Sequence, residues 1–306
     1  MSNWFIRCAE DWLEPIYNTL REILCVQPVL HADETVLQVL KEPGKSAQSK
    51  SYMWLYRTGR TAGLPIILFE YQPDRKAKRP LEFLKEFEGY LHTDGYAGYH
   101  SLPDKIVVVG CWAHARRKFD EALKCLPEKD REGSGAQRCK QYCTQLFAIE
   151  RQLSDCTTEE RYKKRQELAK PVLDEFLSYL HTKKASTKSS FGRAVHYTIE
   201  QWKYLERYIS DGRLDISNNR AERSIKPFVI DRKNFLFANT SRGARASAIV
   251  FSIIETGKEN GLNPYAYLTY IFKNAPNWNI RNDVEALQRL MPNFVPAYCK
   301  TNAVTN

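Results

Sequence analysis

Three acids can be picked out by the chemistry their settings allow: Asp33 in LHADET, Asp94 in LHTDGYAGY and Glu222 in ISNNRAERSIKP. Carboxylates that converge from separate elements can share two divalent ions about 4 Å apart, which grip the attacking and leaving oxygens of a phosphodiester. Magnesium suits such a set, because it is hard and completes its shell with waters and substrate phosphates. Glu222 is set among cations. From Ser217 to Arg245 there are seven Lys or Arg (Arg220, Arg223, Lys226, Arg232, Lys233, Arg242 and Arg245) against two acids, Glu222 and Asp231. Glu34 follows Asp33, but side chains alternate along a strand, so only one of the two can face a shared site. Taken singly, each acid reads as a solvated carboxylate or half of a salt bridge. The three together carry more weight if the chain can bring them to one place.

The elements that would do so are legible in the periodicity. Residues 28–40, 51–57 and 65–71 are short, β-branched and aromatic, and turn-rich stretches separate them, which predicts three consecutive antiparallel strands. A helix is expected at about 77–88, with Leu81, Leu84 and Phe87 on one face. Two more strands follow, at 89–94 and 105–112, joined by the short GYAGYHSLP. Asp33 then lies inside the first strand and Asp94 at the end of the fourth, where Gly95 lets backbone or substrate approach. Glu222 falls early in a helix that Ser217 or Asn218 can cap and that Pro227 should end or bend. This order of elements is that of an RNase H-like fold: α/β, with a mixed sheet of three antiparallel strands and then two parallel ones.

Flanking helices complete the pattern. Residues 10–24 place Leu13, Ile16, Leu20 and Ile23 on one face. Between Ala113 and Arg213 the chain reads as helix, with three apolar stripes: Tyr142, Leu146, Ile149 and Leu153; Leu168, Val172, Phe176 and Leu180; and Val195, Ile199, Trp202, Leu205 and Ile209. Two more helices are expected, at about 242–259 and from Asn263, where Pro264 is a start signal. The organisation is a helical segment (1–27), a first core part (28–112), a helical insertion (113–213), a second core part (214–275) and a C-terminal helix and tail (276–306).

At 306 residues and 43% hydrophobic the chain has ample material for a buried core. Its formal charge of +10 suits a polyanionic partner. Eight cysteines include no CxxC pair, so they read as mostly buried thiols of a reducing compartment. The N-terminus is charged where a signal peptide needs an apolar run, and no segment is long enough to cross a bilayer. A cytoplasmic protein without a membrane partner is expected.

LHADET, TDGYAGY, CWAHARRKF and ISNNRAERSIKP…RKNFLFA, followed by GLNPYAYL, resemble the catalytic domain of the insertion sequence sixty-six family of transposases, the TnpC group, from about residue 10 to residue 290. The resemblance implies that Asp33, Asp94 and Glu222 are a DDE triad binding two Mg²⁺ ions, with Mn²⁺ as a substitute. The 128 positions from Asp94 to Glu222 (222 − 94) then hold a helical insertion before the catalytic helix. It implies a polynucleotidyl transferase that cleaves and transfers DNA strands, nucleoid-associated and acting as a homo-oligomer on double-stranded element ends and target. Other proteins of the same element are further expected partners. Family members usually carry an N-terminal end-binding region, which is expected to be missing here, and a Leu-Pro-Trp-Asn tail motif, where this chain reads RLMPNFVPAY. An RNase H-like nuclease and a non-catalytic regulatory fragment are the alternatives.

Expected DNA contacts are His114, Arg116, Arg117, Asn218, Asn219, Arg220, Arg223, Lys226, Arg232, Lys233 and Arg242. Cys111-x-x-His114 is either a packing pair or a way to orient a phosphate or acid, and a zinc site would need further ligands. Tyr96 and Tyr99 could stack on an unpaired base, whereas Trp112 reads as core.

Overall fold

The computed structural model describes residues 2–301. Helices α1 (Ser2–Cys8) and α2 (Glu14–Cys25) flank a π-helical turn and precede strands β1 (Val29–Lys41), β2 (Lys50–Thr58) and β3 (Ile67–Gln72). Then come α3 (Lys78–Phe83), β4 (Gly89–His92) and β5 (Ile106–Val109). Helices α4 (Trp112–Lys124), α5 (Gly135–Gln152), α6 (Thr158–Lys164), α7 (Lys170–His181), α8 (Ser190–Glu200) and α9 (Trp202–Leu205) follow. The chain continues through α10 (Asn219–Phe235), β6 (Ala238–Thr240), α11 (Ser241–Glu259), α12 (Pro264–Asn274) and α13 (Val284–Gln288). It forms two compact units. One holds the chain up to Gly89, Ser101–Ile106 and the chain from Arg220; the other holds Tyr90–His100 and Val107–Asn219.

In the first unit β1 and β2 pair antiparallel with Asp33 opposite Leu55, and β2 and β3 pair antiparallel with Leu55 opposite Phe69. The short β6 adds to β1 in parallel, Val39 beside Ala238, so the sheet is mixed. Strand alternation collects Leu37, Val39, Met53, Leu55, Ile67 and Phe69 on one face. There they bury against Ala221, Ile225 and Phe228 of α10 and Ala244 and Ala248 of α11. β3 ends the strand order, and hydroxyls close its outer edge. Ile67 N–H donates to Thr256 Oγ1 at 3.0 Å and Phe69 N–H to Ser252 Oγ at 2.7 Å, while Tyr17 OH donates to the Phe69 carbonyl at 3.0 Å. At Ile67 and Phe69 the edge groups are thus taken and offer nothing to another strand.

In the second unit Thr93 N–H donates to the Val109 carbonyl. The helices pack around an aromatic cluster in which Phe176 touches Trp112, Phe119, Tyr142 and Trp202. Arg165 is fully buried and pairs both carboxylate oxygens of Glu150 at 2.7–2.8 Å. It also donates to the carbonyls of Tyr208, Asp211 and Leu214.

Several expectations are corrected. Leu81 and Leu168, assigned to apolar stripes, are exposed, while Leu84, Phe87, Val172, Phe176 and Leu180 are buried. The helix expected over 77–88 ends at Phe83, and the last two of its apolar residues pack from the turn that follows. Leu24, not Ile23, completes the buried face of α2.

Candidate metal and nucleic-acid site

Asp33 shares its strand face with Leu37 and Val39, the face covered by α10. Its Oδ1 accepts the Glu34 N–H at 2.8 Å. Glu34 turns to the opposite face, where its carboxylate is almost wholly buried and takes the Arg75 Nε at 2.6 Å. Of the two adjacent acids, Glu34 is therefore committed to an internal ion pair, and Asp33 is the one on the helix side.

Two anchors fix the course of α10 over the sheet. Near its start Ser224 Oγ accepts from Arg57 Nη1 at 2.5 Å, and Arg57 lies opposite His31 in the β1–β2 register. Near its end Arg232 Nη1 reaches Thr35 Oγ1 at 3.3 Å and the Val36 carbonyl. The helix thus runs above β1 from the level of His31 to that of Val36, and Asp33 lies between. Glu222 stands in its first turn, half-buried, where the partial positive charge of the helix N-terminus favours a carboxylate.

Pro227 does not end this helix, which continues to Phe235. An interior proline costs about 3 kcal/mol by removing one N–H and crowding the preceding turn. Ala221, Ser224, Ile225 and Phe228 are buried on both sides of it, and that packing outweighs the local penalty.

Arg57 had not been expected at the site. It is 4% exposed, bonds Ser224 on one side and Glu259 Oε1 on the other at 2.5 Å, and ties β2 to α10 and α11. Burial lowers its pKa while Glu259 opposes the shift. Its one signal in the sequence is an arginine inside the otherwise apolar run MWLYRT, where a charge demands a buried partner.

The seven cations from Ser217 to Arg245 divide by environment. Arg242 pairs with Glu10 and Arg245 with Glu14, Arg232 holds β1, and Arg220 is half-buried. Arg223, Lys226 and Lys233 are exposed and make no ion pair with a described residue.

In the second unit Asp94 lies two residues beyond the end of β4, not at its last position. Its Oδ1 accepts the Tyr96 N–H at 2.9 Å, closing a tight turn, and Gly95 takes φ +90°. That φ favours glycine, and a Cβ at Gly95 would in addition meet the Tyr197 hydroxyl at 3.0 Å, a tight contact. The Cys111 Sγ accepts the Asn218 N–H at 3.1 Å and lies within 4.8 Å of a His114 ring nitrogen. Asn218 is fully buried, which removes its side chain from the expected DNA contacts; Asn219 is half-buried. Arg116 lies over the Phe147 ring, and Arg117 is exposed. Trp112 is fully buried and donates to the Leu205 carbonyl at 2.9 Å, the core role expected of it. Tyr99 is buried as well, which leaves half-buried Tyr96 as the accessible ring of that pair.

The model of the Transposase IS66 family matches residues 1–246, and that of the IS66 C-terminal element matches residues 252–292. The chain belongs to the IS66 transposase family. Similar proteins include the uncharacterized y4qI of Sinorhizobium fredii, 32% identical over 283 residues, which cover 87% of this chain and 50% of that protein. The uncharacterized y4jD of the same organism is 28% identical over 303 residues, covering 94% of this chain and 58% of its own length. The IS66 chain thus spans about half the length of the curated relatives it matches. No solved structure matches it. None of the helices among its described residues is long and apolar enough to cross a membrane.

Proposed function

We propose that this chain is the strand-cleaving and strand-joining part of an IS66 transposase, with an RNase H-like core and Asp33, Asp94 and Glu222 as its three acids. Support comes chiefly from Asp33: it shares the sheet face that α10, the helix carrying Glu222, covers, while its neighbour Glu34 is spent on Arg75.

Three carboxylates are hard oxygen donors, and the set fits Mg²⁺, or Mn²⁺ in its place. Bound there, two such ions would activate a water or a 3′-hydroxyl and stabilise the leaving oxygen. The chain's own part is to fix the donors. β1 and α10 are rigid elements, and Arg57 locks the first turns of α10 through Ser224, two residues from Glu222. Arg223, Lys226 and Lys233 orient the DNA backbone without reading sequence. Hydrolysis of one strand leaves a 3′-hydroxyl, which then displaces a 3′-oxygen of the target strand. No Ser or Tyr nucleophile is needed. We further propose that the protein acts as a homo-oligomer on DNA.

The test is cleavage of an element-end duplex by purified protein in Mg²⁺ or Mn²⁺. Asp33→Asn, Asp94→Asn and Glu222→Gln should each lower the rate by roughly two orders of magnitude or more, with unchanged circular dichroism. Cleavage by Glu222→Gln at the wild-type rate would refute the assignment.

A further inference from the structure

The segment that joins α10 to β6 carries three consecutive large apolar residues on the surface: Phe235 (37% exposed), Leu236 (64%) and Phe237 (42%). Leu236 has φ +58°, the one non-glycine residue with positive φ among those described. The Phe237 N–H donates to the Phe235 carbonyl at 2.6 Å, so Leu236 is the tip of a three-residue γ-turn. A leucine there is strained by about 1 kcal/mol or more, a cost that persists where surrounding structure imposes it and function uses it.

The surroundings do impose it. Phe235 and Phe237 line an apolar hollow of about 270 Å³ with Phe5, Leu37, Phe228 and Phe251, and Phe235 meets the Phe228 ring at 5.9 Å. The two rings anchor the turn to the core and leave Leu236 as its most exposed residue. The outer face of α10 leads to this tip. Arg223, Lys226, Ile230 and Lys233 recur at three- and four-residue steps, so they share one face, and all are exposed. The cations span about 15 Å of helix, a length that tracks several phosphates of one strand.

We propose that Leu236 is a wedge, inserted between adjacent base pairs of a duplex whose backbone lies along Arg223, Lys226 and Lys233. This rests on the DNA-processing function proposed above. Apolar tips that enter a base step pay for unstacking and hold the duplex bent. A wedge next to the helix that carries Glu222 would open the duplex beside the strand to be cut.

The experiment compares two short duplexes of one sequence, one fully paired and one with a central dinucleotide mismatch, by fluorescence anisotropy in EDTA. Wild type should bind the mismatched duplex about tenfold more tightly, because its unstacking is already cheap. Leu236→Gly relieves the left-handed backbone and should fold at least as stably. It should bind both duplexes equally, while Leu236→Met should keep the preference. DNA binding with no mismatch preference, or a preference that survives Leu236→Gly, would overturn the wedge and leave the transposase reading standing. Absence of DNA binding would remove both. A shift in oligomeric state by Leu236→Gly in sedimentation without DNA, with mismatch preference intact, would make the tip a contact between copies and overturn the proposal.

Discussion

Glu70 shows how one buried group can leave a mark on the whole unit. It lies in β3, on the face opposite the core shared with α10, and its Oε2 is buried with no hydrogen-bond partner among the described residues, while Gln72 bonds the carboxylate and partly offsets its burial. Burial pushes its carboxyl up to about 7. It lines a hollow of about 310 Å³ with Tyr17, Arg21 and Gln72. An acid whose folded pKa exceeds its unfolded value binds its proton more tightly when folded. Its contribution to stability is therefore complete below about pH 4.5, declines as pH rises towards 7, and is lost above that. Glu70→Gln removes the charge at every pH. It should change urea stability little at pH 5 and raise it at pH 8, by no more than ~3 kcal/mol. An equal effect at the two values would mean that Glu70 is solvated as an ordinary surface acid.

At the level of elements, α10 shows both what the sequence revealed and what it hid. The β-branched and aromatic runs over 28–40 and 51–57, set off by turn-rich stretches, located β1 and β2, and strand parity put Asp33 and Glu34 on opposite faces, as found. Asn263-Pro264 marked the start of α12, where the Asn263 side chain accepts the Ala266 N–H. Of the two outcomes expected at Pro227, an end or a bend, the end does not occur, because the penalty is local and the packing that overrides it comes from distant strands. Arg57 and Ser224 are 167 positions apart, beyond any periodicity window, and the burial of Asn218 depends on Cys111 in the same way. β6 is three residues, Ala-Asn-Thr, too short to alternate. If packing holds α10 against its own proline, Pro227→Ala should restore an N–H and stabilise the protein by about 1–2 kcal/mol in urea unfolding. A loss of stability would show that the ring itself packs where alanine leaves a gap.

Over the whole molecule, the charge of +10 matters less than which cations are uncommitted. Arg242 and Arg232 count equally in a sequence tally, yet the first is held by Glu10 and the second by β1. Arg223, Lys226 and Lys233 have no such commitments among the described residues. Binding that displaces counterions makes the logarithm of affinity fall linearly with the logarithm of salt concentration, by about 0.9 for each phosphate neutralised. If α10 is the track, replacing all three by Gln should flatten that slope by about 2–3 units and weaken binding most at low salt. Arg242→Gln should leave the slope nearly unchanged, because its charge already has a partner. The measurement is a salt titration of duplex binding for the wild type, the triple variant and Arg242→Gln. A slope lowered as much by Arg242→Gln as by the triple variant would mean that DNA follows the Glu10–Arg242 surface, and that the setting of Glu222 among cations is a matter of solubility.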